Sequence, residues 1–386
     1  RVEIRVVDAA GDGVGEARVT IHAAGNGANQ PGTPLLDVST GTDGRTLFLT
    51  GMDGPGGIES FQVAVQPADG SAAVTETLSL EQTPWVITLP QTEARLPAHL
   101  DLALVIDTTG SMGDELGYLK AEIDSIAAEV HRRFPNVKQR YALILYRDEG
   151  DQYVTRLHDF TESLDEFRDR LAEQSAGGGG DYPEAVHLAL ERSEKLSWRE
   201  TDTARVMFLI GDAPPHSPHA PRLLDSAKRL RLSGVTIFPI AASGAADEFE
   251  YLARTASFLT MGQYLFLTDH SGVGNAHAKP TAPKYNVERL DQLMFRMIAS
   301  ELSGEPFEPR DILATEEGDP NAPQPPPAPQ QGQEGAALPR VHFQPVAVVQ
   351  RELTGEPPSW FTSGNFFRWG IAAAALAMLL VLDRKC

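Results

Sequence analysis

Four apolar runs, at 102–106, 141–146, 206–210 and 235–241, constrain this chain more than any other feature. A strand covered on one face alternates apolar with polar residues, whereas a run apolar at successive positions predicts a strand covered on both. Segments with helical spacing lie among the runs, at 116–130, 164–171, 185–196, 223–232 and 249–256, and a last helix is predicted over 287–302. Together they predict an α/β domain over 99–303 with a doubly wound, mostly parallel sheet, Rossmann-like in layout. Pro239 sits inside the fourth run and cannot donate to a central ladder, so that strand carries an internal conflict.

The grammar on either side is different. Residues 1–92 hold short alternating runs (Val2, Ile4 and Val6; Ala17, Val19 and Ile21; 61–65; 74–80; 85–89) between Gly, Asp, Asn and Pro clusters. This spacing predicts an all-β, antiparallel sandwich. Residues 304–363 read as a Pro-rich linker, semi-rigid around Pro323, Pro325, Pro326, Pro327 and Pro329. From Gly364 to Leu382 there are 19 residues with Arg368 as the one charge, about 28 Å of helix at the standard rise. Phe366, Phe367 and Trp369 form an aromatic belt and Arg384-Lys385 follow. A single transmembrane helix over 364–383 is predicted, with the short tail 384–386 in the cytoplasm. The N-terminal domains are then expected outside the cytoplasm, in the periplasm or at the cell surface, while the start at Arg1 fits either a removed leader or a fragment.

Charge narrows the function. The chain has 53 acidic against 33 basic side chains and a formal net charge of −20, so no nucleic-acid partner is expected. Its one cysteine, Cys386, excludes an internal disulfide and a Cys-based zinc site. No nucleophile elbow, phosphate-binding glycine pattern or His-Glu-x-x-His motif is present, and no enzymatic activity is expected.

The candidate site starts where the first apolar run ends, in Asp107-Thr108-Thr109-Gly110-Ser111. Three oxygen side chains at alternate positions, just past a buried strand, lie where ligands bind in open α/β sheets. One carboxylate with two hydroxyls is a hard-oxygen set suited to Mg²⁺, Mn²⁺ or Ca²⁺. Two further acids join it: Asp181 in Gly177-Gly178-Gly179-Gly180-Asp181-Tyr182-Pro183-Glu184, and Asp212 at the end of the third run. The alternative reading makes Asp181 and Asp212 plain cap and turn residues. His216 and His219, three apart beside Asp212, raise a transition-metal hydrolase as another alternative, against which Pro214 and Pro215 break helical geometry.

These motifs resemble those of the von Willebrand factor A domain, over 99–303. Asp107-x-Thr109-x-Ser111 is similar to that family's metal-ion-dependent adhesion site, and Asp212 matches the Asp at its third strand end. Asp181 stands where the family carries a Thr, a form similar to hemicentin-like and bacterial members, as is Tyr146-Arg147-Asp148. The resemblance implies a metal-dependent protein-binding or adhesion module whose partner offers a Glu or Asp carboxylate to the ion. A cytoplasm-facing cofactor of an ATPase or chelatase-type complex is the rival role. The stretch from Val6 through Gly11, Val14 and Val19 to Thr42-Asp43-Gly44-Arg45 is similar to carboxypeptidase-regulatory-like or transthyretin-like sandwiches, which implies a supporting module.

Overall fold

A computed structural model describes residues 1–24, 33–180, 182–242, 244–267, 284–309, 312–317 and 345–348. The expected membrane helix at 364–383, the prolines at 323–329, Cys386 and Asp181 lie outside the described residues. Among the described residues no helix is long and apolar enough to cross a membrane. The chain divides into two units, one holding Arg1–Arg95 and the other Leu96–Val349.

The first unit is a sandwich. Strands β1 (Val2–Asp8), β4 (Arg45–Phe48) and β7 (Trp85–Leu89) form one sheet in the order β4-β1-β7. Strands β2 (Arg18–Ala23), β3 (Leu36–Ser39), β5 (Ser60–Gln66) and β6 (Val74–Ser79) form the other, in the order β3-β2-β5-β6. The alternating residues Val2, Ile4 and Val6 are buried between the sheets, as are Val19, Ile21, Val63 and Val65. Phe48, Phe61 and Trp85 pack ring on ring at 5.1–5.8 Å. The expectation of a wholly antiparallel sandwich is corrected: β1 pairs with β7 in parallel. Strands from the two ends of the unit meet there, and no hairpin links them to impose opposite directions.

The second unit carries the α/β domain. Its elements are β8 (His99–Asp107), α1 (Gly113–Arg133), β9 (Lys138–Tyr146), β10 (Thr155–Thr161), α2 (Leu164–Ala172), α3 (Val186–Ser193), β11 (Thr203–Gly211), α4 (Ala220–Leu232), β12 (Val235–Ala241), α5 (Asp247–Leu259) and β13 (Leu265–Phe266). Then follow β14 (Lys284–Arg289), α6 (Leu290–Ser303), β15 (Ala314–Glu317) and β16 (Pro345–Val348). The sheet order is β10-β9-β8-β11-β12-β13-β16-β14-β15. Pairs among β8, β9, β11, β12 and β13 are parallel, and β10 closes one edge antiparallel. From β8 the chain winds outward to β9 and β10, then returns to β11 and winds the other way. Leu100, Leu102, Leu104 and Ile106 of β8 join one buried cluster with residues of α1, α2 and α6. Helices α3, α4 and α5 pack in sequence on one another, with α3 against β8 and β9 and both α4 and α5 against β12.

Three features departed from the sequence reading. Strand β10 escaped it, because a half-exposed edge strand carries Arg156, His158 and Asp159 rather than an apolar run. Helix α6 starts at Leu290, because 284–289 pair as a strand with β15 and β16. Strand β15 comes from the stretch read as linker, and β16 lies in its strand-like patch at 341–349. The conflict at Pro239 resolves through alternation. The N–H of Ile237, two residues earlier, donates away from β11 to Thr260 Oγ1 at 3.0 Å. Pro239 shares that outward parity, and β12 pairs with β13 only at Ile240 and Ala241, so no ladder donor is missing.

Candidate metal centre

The carboxyl ends of β8 and β11 lie at the point where the winding reverses, the crevice in which doubly wound sheets bind ligands. Register sets Asp107 beside Tyr146 of β9, and Ile106 beside Ile210, so the chain leaves β11 through Gly211 and Asp212 next to Asp107. Gly211 is required by this crowding: a Cβ there would run into the Tyr146 hydroxyl and approach the Asp107 Cβ at 3.5 Å.

The loop after β8 is tightly tied. Thr109 donates to Asp107 Oδ1 twice, from its backbone N–H at 2.8 Å and from Oγ1 at 2.7 Å. Thr109 Oγ1 lies 3.4 Å from Ser111 Oγ. Thr108 points elsewhere, its hydroxyl donating to the Tyr146 carbonyl at 2.9 Å and lying 2.6 Å from the Tyr153 hydroxyl. All of this leaves Asp107 Oδ2 and Asp212 Oδ1 buried without a hydrogen-bond partner among the described residues. The Oε2 of Glu184 is in the same condition.

A comparison within one strand gives these orphans meaning. Asp101, six residues earlier on β8, is also fully buried. Arg140 grips it with two nitrogens at 2.9 and 2.6 Å, Arg199 adds a third at 2.6 Å, and the Arg199 N–H adds a fourth donor at 2.7 Å. Asp107 has the Thr109 hydroxyl and amide on one oxygen, the Tyr146 hydroxyl nearby, and no cation among the described residues. The nearby guanidinium of Arg147 donates to the Ser175 carbonyl at 2.7 Å and stacks on Tyr153. Burial, and then the charge of Asp212, raises the Asp107 carboxyl well above the usual carboxylate range. Burial raises Asp212 as well, offset in part by a hydrogen bond from Ser111. Glu184 is pushed up to about 10 by burial and the acids around it. An unsatisfied buried acceptor costs about 1–3 kcal/mol, and more for a charged one. Two orphaned carboxylate oxygens beside two hydroxyls therefore fit a hard divalent cation. Among the described residues no group of three or more His, Cys, Asp or Glu side chains is arranged to hold a metal ion. The candidate set is two carboxylates and two hydroxyls, with Asp181 outside the described residues.

The histidines are engaged elsewhere. His216 Nε2 lies 2.9 Å from Asp148 Oδ1. His219 stacks on His187, with centroids 4.3 Å apart and planes 16° from parallel. Both ring nitrogens of His187 are buried without partners among the described residues. Burial first, then His219 and Arg222, depress its pKa to about 4, with Glu191 opposing and His216 adding to the effect. The unfolded chain takes up this proton near pH 6.5 while the folded chain refuses it. The contribution is whole above pH 6.5 and drains away as pH falls towards 4. Between pH 6.5 and 4 the melting temperature of wild type should fall relative to that of His187→Phe, whatever slope the buried carboxyls impose on both. An unchanged slope in the variant would show that His187 does not drive the acid loss.

The fold brings the predicted Asp107, Thr109, Ser111 and Asp212 together, and adds Tyr146 and Glu184, which the sequence did not place at the site. Glu184 stood in the glycine-loop motif, where an acid just ahead of a helix has an ordinary explanation at the N-terminus. Tyr146 ends an apolar run, and its Tyr146-Arg147-Asp148 motif pointed to a family resemblance without giving the ring a place at the site.

Residues 101–261 match the family model of the von Willebrand factor A domain. An ariadne-like RING finger protein of Acanthamoeba polyphaga mimivirus is 33% identical over 119 residues, 31% of this chain and 11% of that protein. The von Willebrand factor A domain-containing protein 7 of Rattus norvegicus is 33% identical over 135 residues, 35% of this chain and 14% of that protein. This chain thus spans a small part of the length of these curated relatives. Among solved structures, BatB from Bacteroides thetaiotaomicron aligns with a TM-score of 0.38 and 12% identity, over 53% of this chain and 99% of that one.

Proposed function

Since residues 101–261 belong to the von Willebrand factor A domain family, we propose that this chain is a non-enzymatic, metal-dependent protein-binding module. Its cation, Mg²⁺ or else Mn²⁺ or Ca²⁺, is held by Asp107, Thr109, Ser111 and Asp212, with Asp181 as an added carboxylate. The observation that carries this reading is the pair of buried, partnerless oxygens on Asp107 and Asp212, on the same sheet as a fully paired Asp101.

A hydrated divalent ion held on one side offers an open face at which a Glu or Asp carboxylate of a protein partner replaces water. The chain's own residues prepare that face. Asp107 and Asp212 bring charge from two adjacent strand ends, so the rigid sheet sets their separation. Thr109 and Ser111 bring neutral oxygens, which leave positive charge for the incoming acid. Thr109 also fixes the Asp107 rotamer through its two hydrogen bonds. With the chain at −20, long-range attraction does not favour an acidic partner, and capture rests on the local ion.

Titration calorimetry with Mg²⁺ and Mn²⁺ on the full chain tests this. One cation should bind per chain, and Asp181→Thr should weaken it, because a third carboxylate adds attraction. No binding of either ion would falsify the proposal. Equal affinities in wild type and Asp181→Thr would remove Asp181 from the ligand set and leave the other four residues.

The apolar run from Gly364 completes the proposal as a membrane tether, with the binding face outside the cytoplasm. The full chain should sediment with membranes, and deletion of 364–386 should move it to the soluble fraction. Identical partition of the two forms would refute the tether.

A further inference from the structure

The loop between β9 and β10 touches every segment that carries a proposed ligand, yet none of its own side chains is one. Asp151 Oδ2 accepts the N–H of Gly179 at 2.8 Å and that of Asp148 at 3.2 Å. Gly178 and Gly179 both have left-handed backbones, at φ 83° and 74°. A Cβ on Gly178 would collide with the Asp151 carboxylate, so the glycine loop is wrapped directly onto that group. The same loop is stitched to the segment after β8: Gly177 donates to the Thr108 carbonyl at 3.0 Å, and Gly110 to the Gly178 carbonyl at 3.3 Å. Asp148 meets His216 at 2.9 Å in the segment after Asp212. Ala185 donates to the Arg147 carbonyl at 3.1 Å and Glu184 to the Pro214 carbonyl at 2.9 Å, which closes the ring of loops.

We propose that Asp151 is a positioning residue of the cation site: its carboxylate clamps the glycine loop 177–180 and thereby holds the segments after β8 and before α3 in binding register. The inference rests on the cation-site reading above. Four consecutive glycines have a large choice of backbone conformations and lose more freedom on ordering than other residues. Without an acceptor at Asp151, the amide of Gly179 has no partner of comparable strength, and the loop samples its other conformations. Cation affinity then falls by the fraction of time the loop is out of register. Outer partners of metal ligands typically contribute a factor of about 10–100 in affinity. The role needs an acceptor at this position and not a charge, which separates it from simple attraction of the cation by one more carboxylate.

Three forms of the full chain decide the matter: wild type, Asp151→Ala and Asp151→Asn, each titrated with Mn²⁺ by calorimetry. Amide exchange across 177–180 is followed in parallel in chelator. Asp151→Ala should lose roughly tenfold or more in Mn²⁺ affinity, with faster exchange at 177–180 even without metal. Asp151→Asn, which keeps an acceptor for Gly179, should stay near wild type in both. If Asp151→Asn falls as far as Asp151→Ala, charge alone is at work and the positioning role is overturned. It is likewise overturned if Asp151→Ala binds Mn²⁺ as wild type does, or if exchange at 177–180 does not change. Those outcomes leave the cation site standing. A wild type that binds no Mn²⁺ overturns the site and this inference together.

Discussion

Asp107→Asn is expected to raise the melting temperature of the metal-free chain and to erase its response to Mg²⁺. The two effects have opposite signs and one cause. In chelator, Asp107 is a buried carboxylate facing Asp212, with one oxygen unpartnered. Asparagine keeps an oxygen for the two Thr109 donors, removes the like-charge repulsion, and turns the orphaned acceptor into a donor beside Asp212. Relief of that penalty is worth about 1–3 kcal/mol, which at roughly 2–4 °C per kcal/mol for a domain of this size is several degrees. At Mg²⁺ about a hundredfold above its dissociation constant the wild type should gain ~2.7 kcal/mol by mass action, and the variant nothing. The melting curves of the two proteins should therefore cross as Mg²⁺ is added. The pH dependence carries the same signature. Asp107, Asp212 and Glu184 are all raised in the folded state, Glu184 to about 10. Folded protein thus holds protons that unfolded protein releases, and this contribution is whole below the unfolded carboxylate range and drains away as pH rises. Metal-free wild type should lose melting temperature between pH 5 and 8, and Asp107→Asn should lose less. Parallel melts with no crossing would show that Asp107 does not face a cation.

Gly211→Ala is expected to destabilise the domain strongly although it adds one methyl group. Its Cβ would fall within collision distance of the Tyr146 hydroxyl oxygen, on a side chain that is itself fully buried. Neither β9 nor β11 can retreat, since both pair along their length with β8. Overpacking of this kind costs about 1–3 kcal/mol and at times more. Cation affinity should fall with it, because the displaced Tyr146 ring would push on Asp107. Adding Tyr146→Phe removes the colliding oxygen and should restore most of the stability, with a coupling energy well outside additivity. Denaturant unfolding of the two single variants and the double variant measures this. A double variant no more stable than Gly211→Ala would mean that the collision is not the cause.

The α/β layers, the sandwich and the candidate loop 107–111 were legible in the chain because each is a local pattern. Runs apolar at every position, such as 206–210, announce a strand covered on both faces wherever it ends up in the sheet. Likewise Asp107, Thr109 and Ser111 fall within five residues, so their convergence needs only a bend in the backbone. Asp212 was legible for a related reason, as the polar residue ending another apolar run. What the chain could not announce was pairing. Asp101 and Asp107 are equivalent as aspartates of one strand, and only the fold delivers Arg140 and Arg199 to the first and no cation to the second. The placing of Tyr146, Glu184 and Asp151 around the candidate site also rests on contacts across tens of residues. Local spacing specifies which face a side chain takes and what a loop can do, but the partner of a buried charge is set by register and winding, which exist only once the sheet has formed.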